Sequence, residues 1–148
     1  MRRNLTGRPI DVEAHLEDLR AYLGDREGLV AAWIFGSYGT PYQTPLSDLD
    51  LALLYRPDAV PDFKERARVH EQIMDILREE DVSVTILNSV PVLLQFRVLE
   101  TGRRLVCRNE IALAGFVERV LNEHGDYIID HQRFIQEYDR ALLERYSS

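Results

Sequence analysis

The run Leu29–Tyr55, LVAAWIFGSYGTPYQTPLSDLDLALLY, decides how the chain folds. Its first seven residues, Leu29 to Phe35, are apolar throughout, the pattern of a strand buried on both faces. Gly36-Ser37 ends that run and a short polar crossing follows. Then come Ser47-Asp48-Leu49-Asp50 and a second apolar run, Leu51 to Tyr55. The reading is strand, tight glycine turn, crossing, strand, with the second strand carrying Asp48 and Asp50.

Successive side chains in a strand point to opposite faces, so Asp48 and Asp50 share one face and Leu49 and Leu51 the other. Two neighbouring carboxylates repel, and a folded chain keeps them together most readily when a cation lies between them. Hard oxygen donors of this kind suit Mg²⁺, which takes one or two carboxylates together with substrate phosphates. Gly36 removes the Cβ where backbone must approach a ligand or take a positive φ. Ser37 offers a hydroxyl and an N–H at the expected start of a short helix, Tyr38 to Gln43, and such N-termini hold anions. A phosphate cradle at one strand end facing a metal-binding pair on the next is the outline of a nucleotidyl-transfer site.

Gly36-Ser37, ten intervening residues, then Asp48-x-Asp50 resembles the signature of the DNA polymerase β-like nucleotidyltransferase superfamily, and most of all its small branch, the minimal nucleotidyltransferases (MNT). The resemblance runs from about Leu29 to Cys107. It implies an α/β (α+β) fold, a small mixed β-sheet flanked by helices. It implies two Mg²⁺ ions, ATP as substrate, and a third carboxylate at the head of a third strand, a role matched here by Asp81. The structural alternative for Asp81 is a charge closing the loop after Glu79-Glu80. Members of this branch are often antitoxins that pair with HEPN ribonuclease toxins and transfer AMP from ATP to a toxin hydroxyl, commonly a tyrosine. The site residues expected from it are Asp48, Asp50 and Asp81 as catalytic metal ligands and Gly36 and Ser37 as the nucleotide cradle. The arginine and second glycine usual after the cradle are replaced by Tyr38, Gly39 and Thr40, so one phosphate-contacting cation is missing. Tyr42 either stacks on a base or covers the loop.

The rest of the chain bounds this reading. Its 148 residues suffice for one domain with a real core. With 45% hydrophobic and 29% charged residues the composition is that of a soluble globular protein. No apolar stretch approaches a membrane span, and MRRNLTGRPIDVEAHL lacks the apolar core of a signal peptide. A single cysteine, Cys107, excludes an internal disulfide and reads as a small buried hydrophobe, so a cytoplasmic location is expected. The net charge of −7 weighs against DNA or RNA as partner but not against a nucleotide, whose charge Mg²⁺ neutralises locally.

Residues 1–10 read as an arm. Asp11 then caps a helix with Val12, Leu16, Leu19 and Leu23 on one face, ending near Gly24. Trp33 reads as core rather than a base-stacking platform. Asp62-Phe63-Lys64-Glu65 has capping-box spacing and opens a helix to about Glu80, with Phe63, Ala67, His70, Ile73, Met74 and Leu77 as its stripe. His70 on that stripe reads as a packed histidine, not a ligand. Asp81 to Leu87 alternates, with Val82, Val84 and Ile86 facing one way and Asp81, Ser83 and Thr85 the other. A helix from Ser89-Val90-Pro91 to about Glu100 and a strand Arg104 to Cys107 follow. Arg97, Arg103, Arg104 and Arg108 either include a replacement for the missing cation or are solvated surface.

A single domain spans 1–148, and its residues 109–146 form one long helix or a helical pair. Val117, Leu121, His124, Ile128, His131, Ile135, Tyr138 and Leu142 make a heptad-like seam that Gly125 kinks or breaks. Unbroken, it would reach about 54 Å and need a partner's surface, hence a possible hetero-oligomer through this helix. Two rival readings remain: a non-catalytic binding protein that docks through that helix, and a small-molecule nucleotidyltransferase of the aminoglycoside-modifying type.

Overall fold

Seven consecutive apolar side chains leave a strand no face for water, so Leu29–Phe35 (β1) belongs inside a sheet, with cover on both sides. The computed structural model of the protein describes residues 13–36 and 49–125 and puts it there. The other strands are β2 (Leu49–Tyr55), β3 (Val82–Ile86) and β4 (Arg103–Cys107), in spatial order β3-β2-β1-β4. β1 runs antiparallel to β2 and to β4, whereas β2 and β3 are parallel. A parallel pair needs a crossover, and the helix Phe63–Leu77 supplies it. The sheet is therefore mixed and flanked by helices, as the sequence implied.

Among the described residues, four α-helices cover the two faces: α1 (Leu16–Gly24), α2 (Phe63–Leu77), α3 (Val92–Thr101) and α4 (Glu110–His124). Strand alternation sorts the core into two layers. Leu49, Leu51, Leu53 and Tyr55 of β2 pack with Leu19 and Leu23 of α1 and with Val69, Ile73 and Leu77 of α2. Ala52 and Leu54, on the opposite side, pack with Trp33, with Phe96 and Leu99 of α3, and with Leu113, Val117 and Leu121 of α4. Trp33 is core, only 2% exposed. Burying a side chain of this size contributes roughly 3 kcal/mol or more, and Trp33→Ala would forfeit that and leave a cavity.

Some details shift. β2, described from Leu49, carries Asp50 as expected, and its Leu49 N–H donates to the Asp81 carbonyl at 2.9 Å. In α2 the Asp62 carboxylate caps the Glu65 N–H at 2.8 Å, as the spacing indicated. Its buried stripe, however, is Val69, Ile73 and Leu77, with His70 and Met74 at the margin. Phe63, assigned to that stripe by periodicity, is 84% exposed. It precedes Val69 by six residues, about 120° round the helix, and Ala67 lies on the far side again. The helix stops at Leu77 rather than Glu80, because Arg78 takes left-handed angles (φ 54) and closes the last turn.

Each outer strand of the sheet is gripped by a helix side chain. Arg20 of α1 donates its Nε to the Leu105 carbonyl of β4 at 3.1 Å, and the His70 Nε2 of α2 meets the Val82 carbonyl of β3 at 2.6 Å. His70 is thus a packed residue tied to backbone. In α4, Asn109 caps the Ala112 N–H and Leu113, Phe116, Val117, Val120, Leu121 and His124 are buried. His124 lies against Phe96 with ring centroids 4.6 Å apart. Gly125 keeps right-handed helical angles (φ −50, ψ −38). The seam beyond it, His131 included, lies outside the described residues, as do the arm 1–10, Asp11, Val12 and the crossing with Tyr42.

Candidate active site

Three positions singled out from sequence fall at one end of the sheet. Gly36 follows β1 with φ 82, a left-handed conformation that side chains with a Cβ rarely adopt. A Cβ built there would stand 2.6 Å from Oδ2 of Asp50. The glycine is needed twice over, for its dihedral and because backbone and carboxylate touch. Asp50 is half-buried on β2, opposite Phe35 of β1 on one side and Ser83 of β3 on the other. Paired residues of adjacent strands share a face, so Asp50 and Ser83 point the same way, away from the Leu49–Val82 side that α1 and α2 cover.

Asp81 precedes β3, and strand alternation brings it to the side of Ser83 and Asp50. It is 2% exposed. Its backbone is held from both directions: the carbonyl accepts from Leu49, and the N–H donates to Oε1 of Glu79 at 3.4 Å. Its Oδ1 is buried with no hydrogen-bond partner among the described residues. An unpartnered buried carboxylate oxygen is costly, by several kcal/mol if ionised, and natural folds retain such groups chiefly where a ligand satisfies them.

Ser37 and Asp48 lie outside the described residues. Among the described residues no group of three His, Cys, Asp or Glu side chains gathers to hold a metal. Two of the three carboxylates in question, Asp50 and Asp81, are described; they share a face and offer hard oxygen donors, which fits Mg²⁺.

Three of the four arginines are committed elsewhere. Arg103 donates to both oxygens of Glu13 at 3.0 and 3.3 Å, and Arg104 pairs with Glu110 at 3.2 Å in a largely buried contact. Arg108 bonds the Arg26 carbonyl, and Arg97 is exposed on α3. Arg103 and Arg104 thus serve the chain's own carboxylates. Cys107 is half-buried, and burial raises its thiol above the ordinary range, which makes it inert rather than nucleophilic.

Sequence reasoning placed Ser83 on the polar side of its strand without giving it a role; only the register shows that it stands beside Asp50. Asn88 was missed. Its side chain accepts from the Tyr55 N–H at 2.9 Å and donates to the Tyr55 carbonyl at 2.7 Å, prolonging the sheet past β3. Nothing in the local sequence marks it, since the contact spans 33 residues.

A glycine at the end of one strand backed on a carboxylate of the next, with another acid on the parallel neighbour, is the arrangement expected of a nucleotidyltransferase. The family described as "Polymerase beta, Nucleotidyltransferase" matches residues 17–111, and the chain belongs to it. Among solved structures, one chain is from a tri-AMPylated Shewanella oneidensis HEPN toxin in complex with MNT antitoxin. It superposes with TM-score 0.61 at 20% identity, over 86% of this chain and 98% of that one. A toxin–antitoxin structure with AMP-PNP gives TM-score 0.62 at 21% identity, over 85% and 97%. The MntA–HepT toxin–antitoxin gives 0.59 at 18%, over 85% and 97%. At such identities the likeness concerns the fold. No curated protein matches the sequence.

Proposed function

We propose that the chain is an antitoxin of the MNT type that transfers AMP from ATP to a hydroxyl, a tyrosine, of a HEPN-type toxin and so neutralises it. The observation that carries this reading is Asp81: a buried carboxylate with an unpartnered oxygen, on the face of Asp50, beside a glycine turn that leaves room only for backbone. The superposed structures supply the partner class, since one holds a tri-AMPylated HEPN toxin and another holds AMP-PNP.

Asp48, Asp50 and Asp81 are the side chains that would hold two Mg²⁺ ions. Bound there, the metal supplies charge neutralisation for the triphosphate and acidifies the acceptor hydroxyl. Gly36 and Ser37 bind the departing phosphates through N–H groups, and these need no cation to do so. The acceptor oxygen bonds to the α-phosphorus as the bond from that phosphorus to the α,β-bridging oxygen breaks. Pyrophosphate leaves, and the hydroxyl proton passes to the Asp81 carboxylate. The same reading includes a cytoplasmic location and contact with the toxin through the C-terminal helix, which makes the pair a hetero-oligomer.

Intact-mass spectrometry tests the reading. The chain is mixed with Mg²⁺-ATP and a HEPN-type protein encoded beside it, with Asp50→Asn alongside. The partner gains one or more AMP units with the unsubstituted chain, and transfer falls more than about a hundredfold with the variant. No gain, with an equally stable complex from both forms, would establish a protein that neutralises by binding alone.

A further inference from the structure

We infer that Ser83 is a substrate contact, donating its hydroxyl to the acceptor of the transfer, and that the open face of β3 is where the acceptor lies. The inference rests on the function proposed above and deepens it. Three side chains on one face alternate along this segment: Asp81 buried, Ser83 exposed, Thr85 half-buried. On the same face of the adjoining strand, Ala52 and Leu54 are buried under α3 and α4. Those helices therefore cover β2 toward its far end and leave a hydroxyl of β3 open beside Asp50. An exposed serine in a strand is ordinary; one paired in register with the carboxylate that Gly36 backs is placed.

The order across the sheet gives the role. Reading from β1 to β3, the row is Phe35, then Asp50, then Ser83, with Gly36 next after Phe35 and backed on the Asp50 carboxylate. In phosphoryl and nucleotidyl transfer the attacking and leaving oxygens lie roughly in line on opposite sides of the phosphorus. With the pyrophosphate on the Gly36 side, the attacking hydroxyl approaches from the β3 side. Ser83 is the neutral hydrogen-bonding side chain there, and Asp81, two residues away, is the base. A serine can orient a hydroxyl without competing for its proton. The acceptor is a protein hydroxyl carried on a segment lying over Ser83 and Thr85.

Steady-state transfer to the HEPN-type protein tests this, read as separate KM values for acceptor and ATP. Ser83→Ala raises the acceptor KM about fivefold, the cost of one hydrogen bond, and leaves the ATP KM unchanged. Ser83→Thr retains the hydroxyl and restores the acceptor KM. Ser83→Leu fills the open face and raises the acceptor KM at least about tenfold, while its thermal unfolding stays that of the unsubstituted chain. Unchanged acceptor KM in both the alanine and leucine variants overturns the role of Ser83 and leaves the transfer reaction standing. A rise in ATP KM instead assigns Ser83 to the nucleotide and also overturns it. If the unsubstituted chain transfers nothing and Asp50→Asn binds ATP equally well, the proposed function fails and this inference with it.

Discussion

The two ends of the β1–β2 pair carry different chemistry. At the end where β1 begins and β2 finishes, polar groups are spent on the fold: Asn88 satisfies both backbone groups of Tyr55, the Arg56 N–H donates to the Gly28 carbonyl, and the Arg108 N–H to that of Val30. Arg26 reaches Glu65 at 3.0 Å there as well. Arg26 Nε and the Tyr55 hydroxyl are nonetheless buried there without a hydrogen-bond partner among the described residues; at the other end stand Gly36, Asp50 and Asp81, and the unpartnered buried atom is a carboxylate oxygen. The first end is held by hydrogen bonds across the strands; at the second the unpartnered buried atom belongs to an acid, a hard oxygen donor. What marks the site end is the kind of atom left unpartnered, a carboxylate oxygen, rather than the bare lack of a partner.

Substitutions can break that contrast. Among changes to the backbone of the site, the largest effect is expected at Gly36. Gly36→Ala sets a Cβ at φ 82 against the Asp50 carboxylate, so AMP transfer falls more than about tenfold while far-ultraviolet circular dichroism is unchanged. Activity near that of the parent would show that the close approach is incidental. Asn88→Ala removes two hydrogen bonds at the tied end and costs about 2 kcal/mol in urea unfolding, with ATP affinity unaltered. Asp81→Asn has the opposite signature. It neutralises a buried unpartnered carboxylate and raises stability by about 1 kcal/mol as transfer is lost. A loss of stability there would mean that the carboxylate serves the fold, and the contrast between the ends would dissolve. The smallest effect concerns Cys107, paired with Ala31 toward the tied end, whose burial raises its thiol. Its alkylation at pH 8 should be several times slower than that of a free thiol. Because the shift is upward, the rate should keep climbing above the pH at which a free thiol has levelled off.

Much of this was legible from residue patterns, and for definite reasons. An unbroken apolar run such as Leu29–Phe35 has only one comfortable place in a sheet, so β1 came out with its bounds intact. Alternation from Asp81 onward gave the faces of β3, and capping chemistry gave the start of α2. Periodicity misplaced Phe63 because six residues look nearly like two helical turns in a list of apolar positions, though the angle is about a third of a circle off. The helix end at Arg78 was missed for another reason: a left-handed arginine carries no composition signal, whereas a glycine there would have. Within the site, Gly36 and Asp50 were visible because chemistry restricts the residue types. The neighbour relation of Asp50 and Ser83 was not, since it depends on a register between strands 33 residues apart in sequence.

The grips on the two outer strands bear on how another protein can reach this one. A free strand edge invites a further strand to add by backbone pairing, and that is a common route both to peptide capture and to self-assembly into fibrils. Here the imidazole of His70 occupies the Val82 carbonyl and the guanidinium of Arg20 the Leu105 carbonyl, so an incoming strand would have to displace a helix side chain at either border. A partner is thus steered away from extending the sheet and toward lying across it. The same plugs sit on the strand borders and not on the face of Asp50 and Ser83, so the surface open for chemistry is not the one that invites strand addition.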